Sequence, residues 1–395
     1  MAFKGIDFYN IDELLTEEEK LVRNSVREFM ENEILPLVAD AFHNEEPLNM
    51  REIAPKMGEL GLLGAFLPEE YGCPGASYTE FGLICQEVER VDSSMRSFVA
   101  VTSGLVMYPI WRYGSEEQKR KYLPKLAKGE IIGCFGLTEP NHGSDPGSME
   151  TTAKRDGDEW ILNGTKTWIS EAGIADIAVV WARDVDDGKV KGFIIERGTK
   201  GFQQNEIKRK GSMRAGDVGE LGLVNCRVPE ENRLPEAKSL GAPLSCLNQA
   251  RYGISWGAIG AAMDCFETAL NYTKDRKQFG VPLASFQLVQ EKLVKMFMEI
   301  TKGQLVAYRL GRLMDEGKAT TEQISFAKKN NVAVARYCAR VARELLGANG
   351  ISLDYSPIRH MANIESVYTY EGTDDIHTLI LGRYLTGYQA FRREL

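Results

Sequence analysis

At 395 residues the chain is long enough for two or three domains with substantial cores, and 43% hydrophobic with 26% charged residues is ordinary for a globular protein. A net charge of −8 argues against nucleic acid as a partner and leaves Lys119-Arg120-Lys121 and Lys208-Arg209-Lys210 as solvated faces. No apolar run reaches membrane-spanning length and Met1 is followed by Phe3, Lys4 and acidic residues rather than a leader. Seven cysteines without a Cys-x-x-Cys pair fit a reducing compartment, so a cytoplasmic protein without disulfides or a metal site is expected.

Residues 1–124 read as a helical domain. Leu21, Val22, Val26, Phe29 and Met30 recur at helical spacing, punctuated later by Pro36, Pro68 and Pro74. A second run carries Phe81, Ile84, Cys85, Val88 and Val91, and Asp92-Ser93-Ser94 offers a stop and a fresh cap. The next run puts Met95, Phe98, Val99, Thr102, Leu105 and Val106 on one stripe. Arg96 falls outside it, so periodicity alone makes Arg96 a solvated arginine.

Residues 125–236 have the texture of an antiparallel β domain. The run Trp160 to Ile169 contains Asn163-Gly164 and predicts a hairpin turn there, because Asn-Gly supplies positive φ angles readily. Asp187-Gly188 likewise separates Ile177–Ala182 from Gly192–Ile195, and Leu221–Val228 is a further strand ended by Pro229. Ahead of these, Phe135-Gly136-Leu137-Thr138-Glu139-Pro140-Asn141-His142-Gly143-Ser144-Asp145-Pro146 is a loop whose backbone N–H groups and hydroxyls suit an anion or a polar ring.

Residues 237–395 read as a C-terminal helical bundle, with apolar-periodic segments over 243–273, 284–317, 321–346 and 374–392 suggesting four helices. Gly253-Ile254-Ser255-Trp256-Gly257 matches the Gly-x-Ser-x-Gly pattern of hydrolases. That motif needs a strand-to-helix turn, and this serine falls within a helical segment. Arg276-Lys277-Gln278-Phe279-Gly280 reads locally as a basic helix end with a glycine stop. The order helices, sheet, helices, without strand–helix alternation, gives an α+β multidomain fold rather than a doubly wound one.

Near the C-terminus, Tyr368-Thr369-Tyr370-Glu371-Gly372-Thr373-Asp374-Asp375-Ile376-His377 surrounds one carboxylate with aromatic and hydroxyl side chains on a turn before a helix. Thr373 or Asp374 caps that helix, and Gly372 suits a sharp turn or close ligand approach. A carboxylate held among rings loses hydration, its pKa rises, and it becomes a base suited to neutral pH.

The run Tyr370-Glu371-Gly372-Thr373, followed by Asp375-Ile376-His377 and Leu381-Gly382-Arg383, resembles the catalytic segment of the acyl-CoA dehydrogenases, most closely of their glutaryl-CoA branch. The three-part order resembles that family over essentially the whole chain. The resemblance implies an FAD enzyme with Glu371 as the base, bonded by its backbone, with Gly372, to the substrate. It implies FAD contacts from Phe135, Leu137, Thr138, Gly143, Ser144, Trp168, Ile169, Ser170 and Thr373, with Ser144 also near the thioester ligand. Ser170 stands where relatives commonly carry threonine. From a neighbouring subunit of a homotetramer, Arg276, Phe279, Gln287, Glu344, Leu345 and Gly347 are expected at the pyrophosphate and adenine. Asn248 and Arg251 are expected along the pantetheine. Arg96 and Ser97 would grip the distal carboxylate of glutaryl-CoA, with Glu89 holding Arg96; a further hydroxyl expected at position 100 is absent, since Ala100 stands there. Electrons would pass to electron-transfer flavoprotein. Tyr370 favours the decarboxylating reaction over one ending at glutaconyl-CoA. A short-chain acyl-CoA dehydrogenase and a non-catalytic acyl-CoA-binding flavoprotein are the alternatives.

Overall fold

The computed structural model describes residues 6–390; Met1, Phe3 and Lys4, and the end of the helix expected over 374–392, lie outside them. Seven helices come first: α1 (Glu17–Phe29), α2 (Leu35–Asn44), α3 (Met50–Glu59), α4 (Tyr78–Val91), α5 (Ser93–Ala100), α6 (Tyr108–Tyr113) and α7 (Glu116–Ala127). Thr16, Ser77 and Ser115 open α1, α4 and α7 with reciprocal capping boxes. Asp92 ends α4 and caps α5, its Oδ1 accepting from Ser94 N at 2.7 Å. Both α4 beyond its first residue and all of α5 are buried on every side. Arg96 is therefore not the solvated arginine that periodicity indicates: it is 0% exposed.

The sheet follows, with β1 (Gly133–Gly136), β2 (Thr152–Asp156), β3 (Glu159–Ser170), β4 (Ile177–Asp184), β5 (Val190–Glu196), β6 (Phe202–Glu206) and β7 (Val218–Pro229). Its order is β1-β4-β2-β3-β7-β6, with β5 also on β4. The pairing is mostly antiparallel, but β1 and the start of β2 run parallel to β4. Asp187-Gly188 makes the expected β4–β5 hairpin. Asn163-Gly164 does not turn the chain: β3 runs straight through it, and the hairpin lies earlier, at Gly157-Asp158. Gly164 takes φ 149° in a bulge opposite β7, where an added Cβ would lie 2.4 Å from Thr151 Oγ1, while Asn163 Oδ1 accepts from Asn225 N at 2.8 Å.

The last third holds α8 (Gly241–Asp275), a hairpin of β8 (Lys277–Gln278) and β9 (Val281–Pro282), then α9 (Gln287–Asp315), α10 (Thr321–Leu345), α11 (Ser356–Thr369) and α12 (Asp374–Thr386). Four of these are the expected bundle helices; α11 is additional, its short apolar stripe masked by Arg359, His360 and Asn363, all buried. One face of α8 is glycine so that α4 can approach. A Cβ at Gly253, Gly257 or Gly260 would lie 3.0 Å from Cys85 Sγ, 2.0 Å from Glu89 Oε2 or 1.9 Å from Gln86 O. The Gly-x-Ser-x-Gly run is thus a packing surface, with Ser255 Oγ buried and donating to Tyr252 O at 2.6 Å. No helix among the described residues is long and apolar enough to cross a membrane.

Candidate active site

The turn between α11 and α12 carries Glu371 in the left-handed region (φ 52°), followed by Gly372 at φ 95° and Thr373, which caps α12 by accepting from Ile376 N at 3.2 Å. A glutamate at positive φ is strained, and such strain persists only where surrounding contacts fix it. Two cations do so: Arg251 Nε donates to the Glu371 carbonyl at 2.7 Å, and Lys328 Nζ donates to the Gly372 carbonyl at 2.9 Å. Position 372 must be glycine, since a Cβ there would lie 2.9 Å from His377 Nε2 and 3.3 Å from Arg251 Nη2. Glu371 Oε2 is enclosed and has no hydrogen-bond partner. Burial pushes the carboxyl up to about 7, against the pull of Arg96, Arg251 and Lys328.

Beside this turn, Arg96 Nε donates to Glu89 Oε2 at 2.7 Å and Nη2 donates to the Tyr370 hydroxyl, while Arg96 Nη1 and Glu89 Oε1 are buried without a protein partner. Ser97 Oγ lies 3.3 Å from Ser170 Oγ at the end of β3. The fold thus brings Glu89, Arg96, Ser97, Ser170, Tyr370 and Glu371 together from α4, α5, β3 and the α11–α12 turn. Ala100 is buried beneath them, 3.7 Å from the Cβ position of Gly253.

On the sheet side, Phe135 and Leu137 pack their side chains into the core, so this stretch presents backbone and the half-buried Thr138. The loop is pinned by Glu139. Its carboxylate accepts from Glu150 N at 2.6 Å, Thr151 N at 2.9 Å and the buried Lys166 Nζ at 2.7 Å, and Lys166 also donates to Leu137 O. Burial alone would raise Glu139, but the Lys166 and backbone hydrogen bonds hold it down at about 2. Gly143 and Ser144 are exposed beyond this pin. A bulge in β3 turns Trp168 outward at φ 58°, leaving its indole 63% exposed while Ile169 is buried. A flat apolar face open at a strand end, flanked by Ser170 and exposed loop backbone, fits a planar heterocycle.

Arg276, Phe279, Gln287, Glu344, Leu345 and Gly347 lie on elements other than the Glu371 turn. Arg276 ends α8 about 37 Å of helix rise beyond Arg251. Phe279, 93% exposed, and Gly280 form the β8–β9 turn, and Gln287 opens α9. Glu344 pairs with Lys292 at 2.5 Å, Leu345 is buried, and Gly347 takes φ 61° just past α10. Asn248 bonds Thr321 Oγ1 at 3.1 Å. Arg251, also expected along the pantetheine, donates its Nε to the Glu371 carbonyl at 2.7 Å and its Nη1 to Asn248 Oδ1 at 3.4 Å.

Lys328, Lys166 with Glu139, and a buried Glu171–Asp217 pair escaped the sequence reading. Lys328 had a signal: it falls on the inner stripe Ile324, Lys328, Asn331, Ala335 of α10, where a lysine has no reason to be solvated. Glu171, left-handed at φ 65°, carried none.

The chain belongs to the acyl-CoA dehydrogenase family, whose N-terminal, middle and C-terminal domain models match residues 16–130, 134–226 and 240–386. Within it, the chain is 35% identical to glutaryl-CoA dehydrogenase of Desulfococcus multivorans, over 93% of this chain and 96% of that protein. It is also 35% identical to a short-chain specific acyl-CoA dehydrogenase of Clostridium acetobutylicum, over 93% and 97% of the two chains. Among solved structures, glutaryl-CoA dehydrogenase from Mycobacterium smegmatis matches at 51% identity and a TM-score of 0.96 over 99% of this chain and 100% of that one; a glutaryl-CoA dehydrogenase from the same organism in complex with FADH2 matches at 49% identity and a TM-score of 0.96 over 98% and 99%. The cofactor of this chain is FAD, and the exposed Trp168 face and Ser170 are where its residues fit a flavin.

Proposed function

We propose that the protein oxidises glutaryl-CoA to crotonyl-CoA and CO2 and passes the electrons to electron-transfer flavoprotein, working as a homotetramer in the cytoplasm. The observation that carries the substrate assignment is Arg96: a fully buried guanidinium, oriented by Glu89 and Tyr370, with Nη1 left unpaired. Burying a charge is costly unless its partners complete the pairing, and a guanidinium fork matches a carboxylate in two hydrogen bonds. An aliphatic acyl chain gains nothing from that group, which argues against the short-chain reading.

FAD, when bound, supplies the hydride acceptor for the β-carbon. Glu371 removes the α-proton of the thioester, and its backbone N–H helps hold the developing enolate oxygen; one such donor is worth about 3–4 kcal/mol in the transition state. The distal carboxylate stays on Arg96 and Ser97 until its C–C bond breaks. The electron pair of that bond remains on the carbon skeleton, CO2 leaves, and the protonated Glu371 returns a proton to the γ-carbon. Tyr370, bonded to Arg96 and adjacent in sequence to the base, ties the carboxylate grip to the proton-transfer group. Asn248, Ser144 and Gly372 would line the path of the CoA chain.

The distance along α8 between Arg251 and Arg276 supports contributions from two chains to each cofactor site. Exposed Phe279, Leu288 and Met298 supply apolar surface for such a partner. All seven cysteines are free, as a reducing compartment requires.

Glutaryl-CoA turnover with an artificial electron acceptor, followed by mass spectrometry of single-turnover products, tests this reading. Crotonyl-CoA and CO2 are expected. Glutaconyl-CoA without CO2 would make the enzyme non-decarboxylating, and an absence of turnover with FAD bound would make it a binding protein.

A further inference from the structure

The base sits on a strained turn that cannot hold itself. Three groups pack under the Glu371–Gly372 peptide: Arg251 from α8, Lys328 from α10 and His377 from α12. His377 is buried, and burial, with Lys328 and Arg251 alongside, pushes it down to about 3 against the pull of the Glu371 backbone, so it stays a neutral ring. Arg251 reaches the Glu371 carbonyl. That leaves the Gly372 carbonyl, the second half of the left-handed turn, to Lys328, a lysine 1% exposed on the buried face of α10 between Ile324 and Ala335.

A buried lysine loses its hydration, and the one hydrogen bond to a neutral carbonyl replaces only part of it. The compensation comes from negative charge. The ionised groups facing this cluster are Glu371 and Asp374 on the acidic side, with Glu89 behind Arg96; Arg96 and Arg251 oppose them. Burial pulls Lys328 down to about 7, and Glu371 is the first charge that pulls it back. Reciprocally, Lys328 is among the cations that favour the ionised form of Glu371. Each group therefore favours the charged state of the other.

We propose that Lys328 is a positioning residue for proton abstraction: with Arg251 it clamps the left-handed Glu371–Gly372 turn, and its ammonium helps hold the base in its carboxylate form. The inference rests on Glu371 being the base. Arg251 is spent on the first carbonyl and His377 is uncharged, so among the described residues no other side chain is seen to take the Gly372 carbonyl.

The test compares kcat against pH for wild type, Lys328→Met, Lys328→Arg and Glu371→Gln, all as FAD-loaded enzymes on the same acyl-CoA. Lys328→Met removes a cation, so the pKa of Glu371 rises and the acidic limb of the profile moves to higher pH, by about one unit. Loss of the clamp lowers kcat about 10- to 100-fold, the cost of a misplacement on the order of 1 Å, with KM little changed. Lys328→Arg keeps the charge and restores the limb. If Lys328→Met fails to retain FAD, Lys328→Gln gives the same reading of the limb. An unmoved acidic limb in the neutral variants overturns the proposal, whether or not kcat falls. Wild-type turnover by Glu371→Gln instead overturns the assignment of the base itself, a failure that the Lys328 profiles alone would not produce.

Discussion

The acyl end of the site and its flavin side are built on opposite plans. Around Arg96 the polar side chains are buried on helices enclosed on all faces and oriented by partners of the same chain, while Arg96 Nη1, Glu89 Oε1 and Glu371 Oε2 have no protein partner. Around Trp168 and Phe279 large aromatic rings stand exposed, on a bulged strand and a hairpin tip. The first region is oriented by the fold itself; the second leaves its rings open to solvent. Selectivity for the acyl group should therefore respond to single side chains, whereas cofactor retention should respond to loops and to assembly.

The hardest blow to the acyl end is Glu371→Gln, which should keep FAD and lower turnover by about 10,000-fold, the upper range for loss of a general base. A smaller loss would mean that proton abstraction is shared. Wild-type activity should fall as the pH drops through about 7 and the base takes up its proton, measurable as the acidic limb of kcat/KM. On the flavin side, Lys166→Met leaves the Glu139 carboxylate buried without its cation, which costs about 3–5 kcal/mol. The expected result is release of FAD at temperatures where wild type retains it, followed by flavin fluorescence. Arg96→Met should weaken kcat/KM for glutaryl-CoA by about 2–5 kcal/mol and leave butyryl-CoA much less affected. Equal losses on both would erase the distinction between a carboxylate grip and a general packing role.

The smallest effect is expected at Glu171. Its carboxyl is buried beside Asp217 and its pKa is raised well above the usual range by burial and then by that neighbour, with Lys210 opposing. Being protonated in the fold and ionised when unfolded, it costs stability as pH rises above about 4.5, up to its folded pKa. Glu171→Gln should therefore raise the melting temperature by a few degrees at pH 8 and by less at pH 5.

The cap at Asp92, the turn at Asp187-Gly188 and the cap at Thr373 are local events, legible because each depends on a few adjacent residues. Asn163-Gly164 misleads because a bulge against β7 uses the same φ freedom as a hairpin turn. Arg96 is invisible to periodicity because α5 has no solvent face against which a stripe could be defined. Resemblance reached Arg96 and Glu371, but not Lys328 or Lys166, whose partners lie 44 and 27 positions away and are peptide carbonyls or a loop acid. Long-range pairing to backbone leaves no mark in a single chain's pattern, apart from a charged residue in an apolar stripe.

The glycine face of α8 has a consequence for anyone redesigning the acyl specificity. The Cβ position of Gly257 lies within bonding crowding distance of Glu89 Oε2, and that oxygen aims Arg96. Even an alanine at 257 would displace the acid and swing the guanidinium off target, so helix spacing and dicarboxylate choice cannot be tuned independently. Variants with a new acyl range should arise first at positions 89 and 96, with 257 free to change only afterwards.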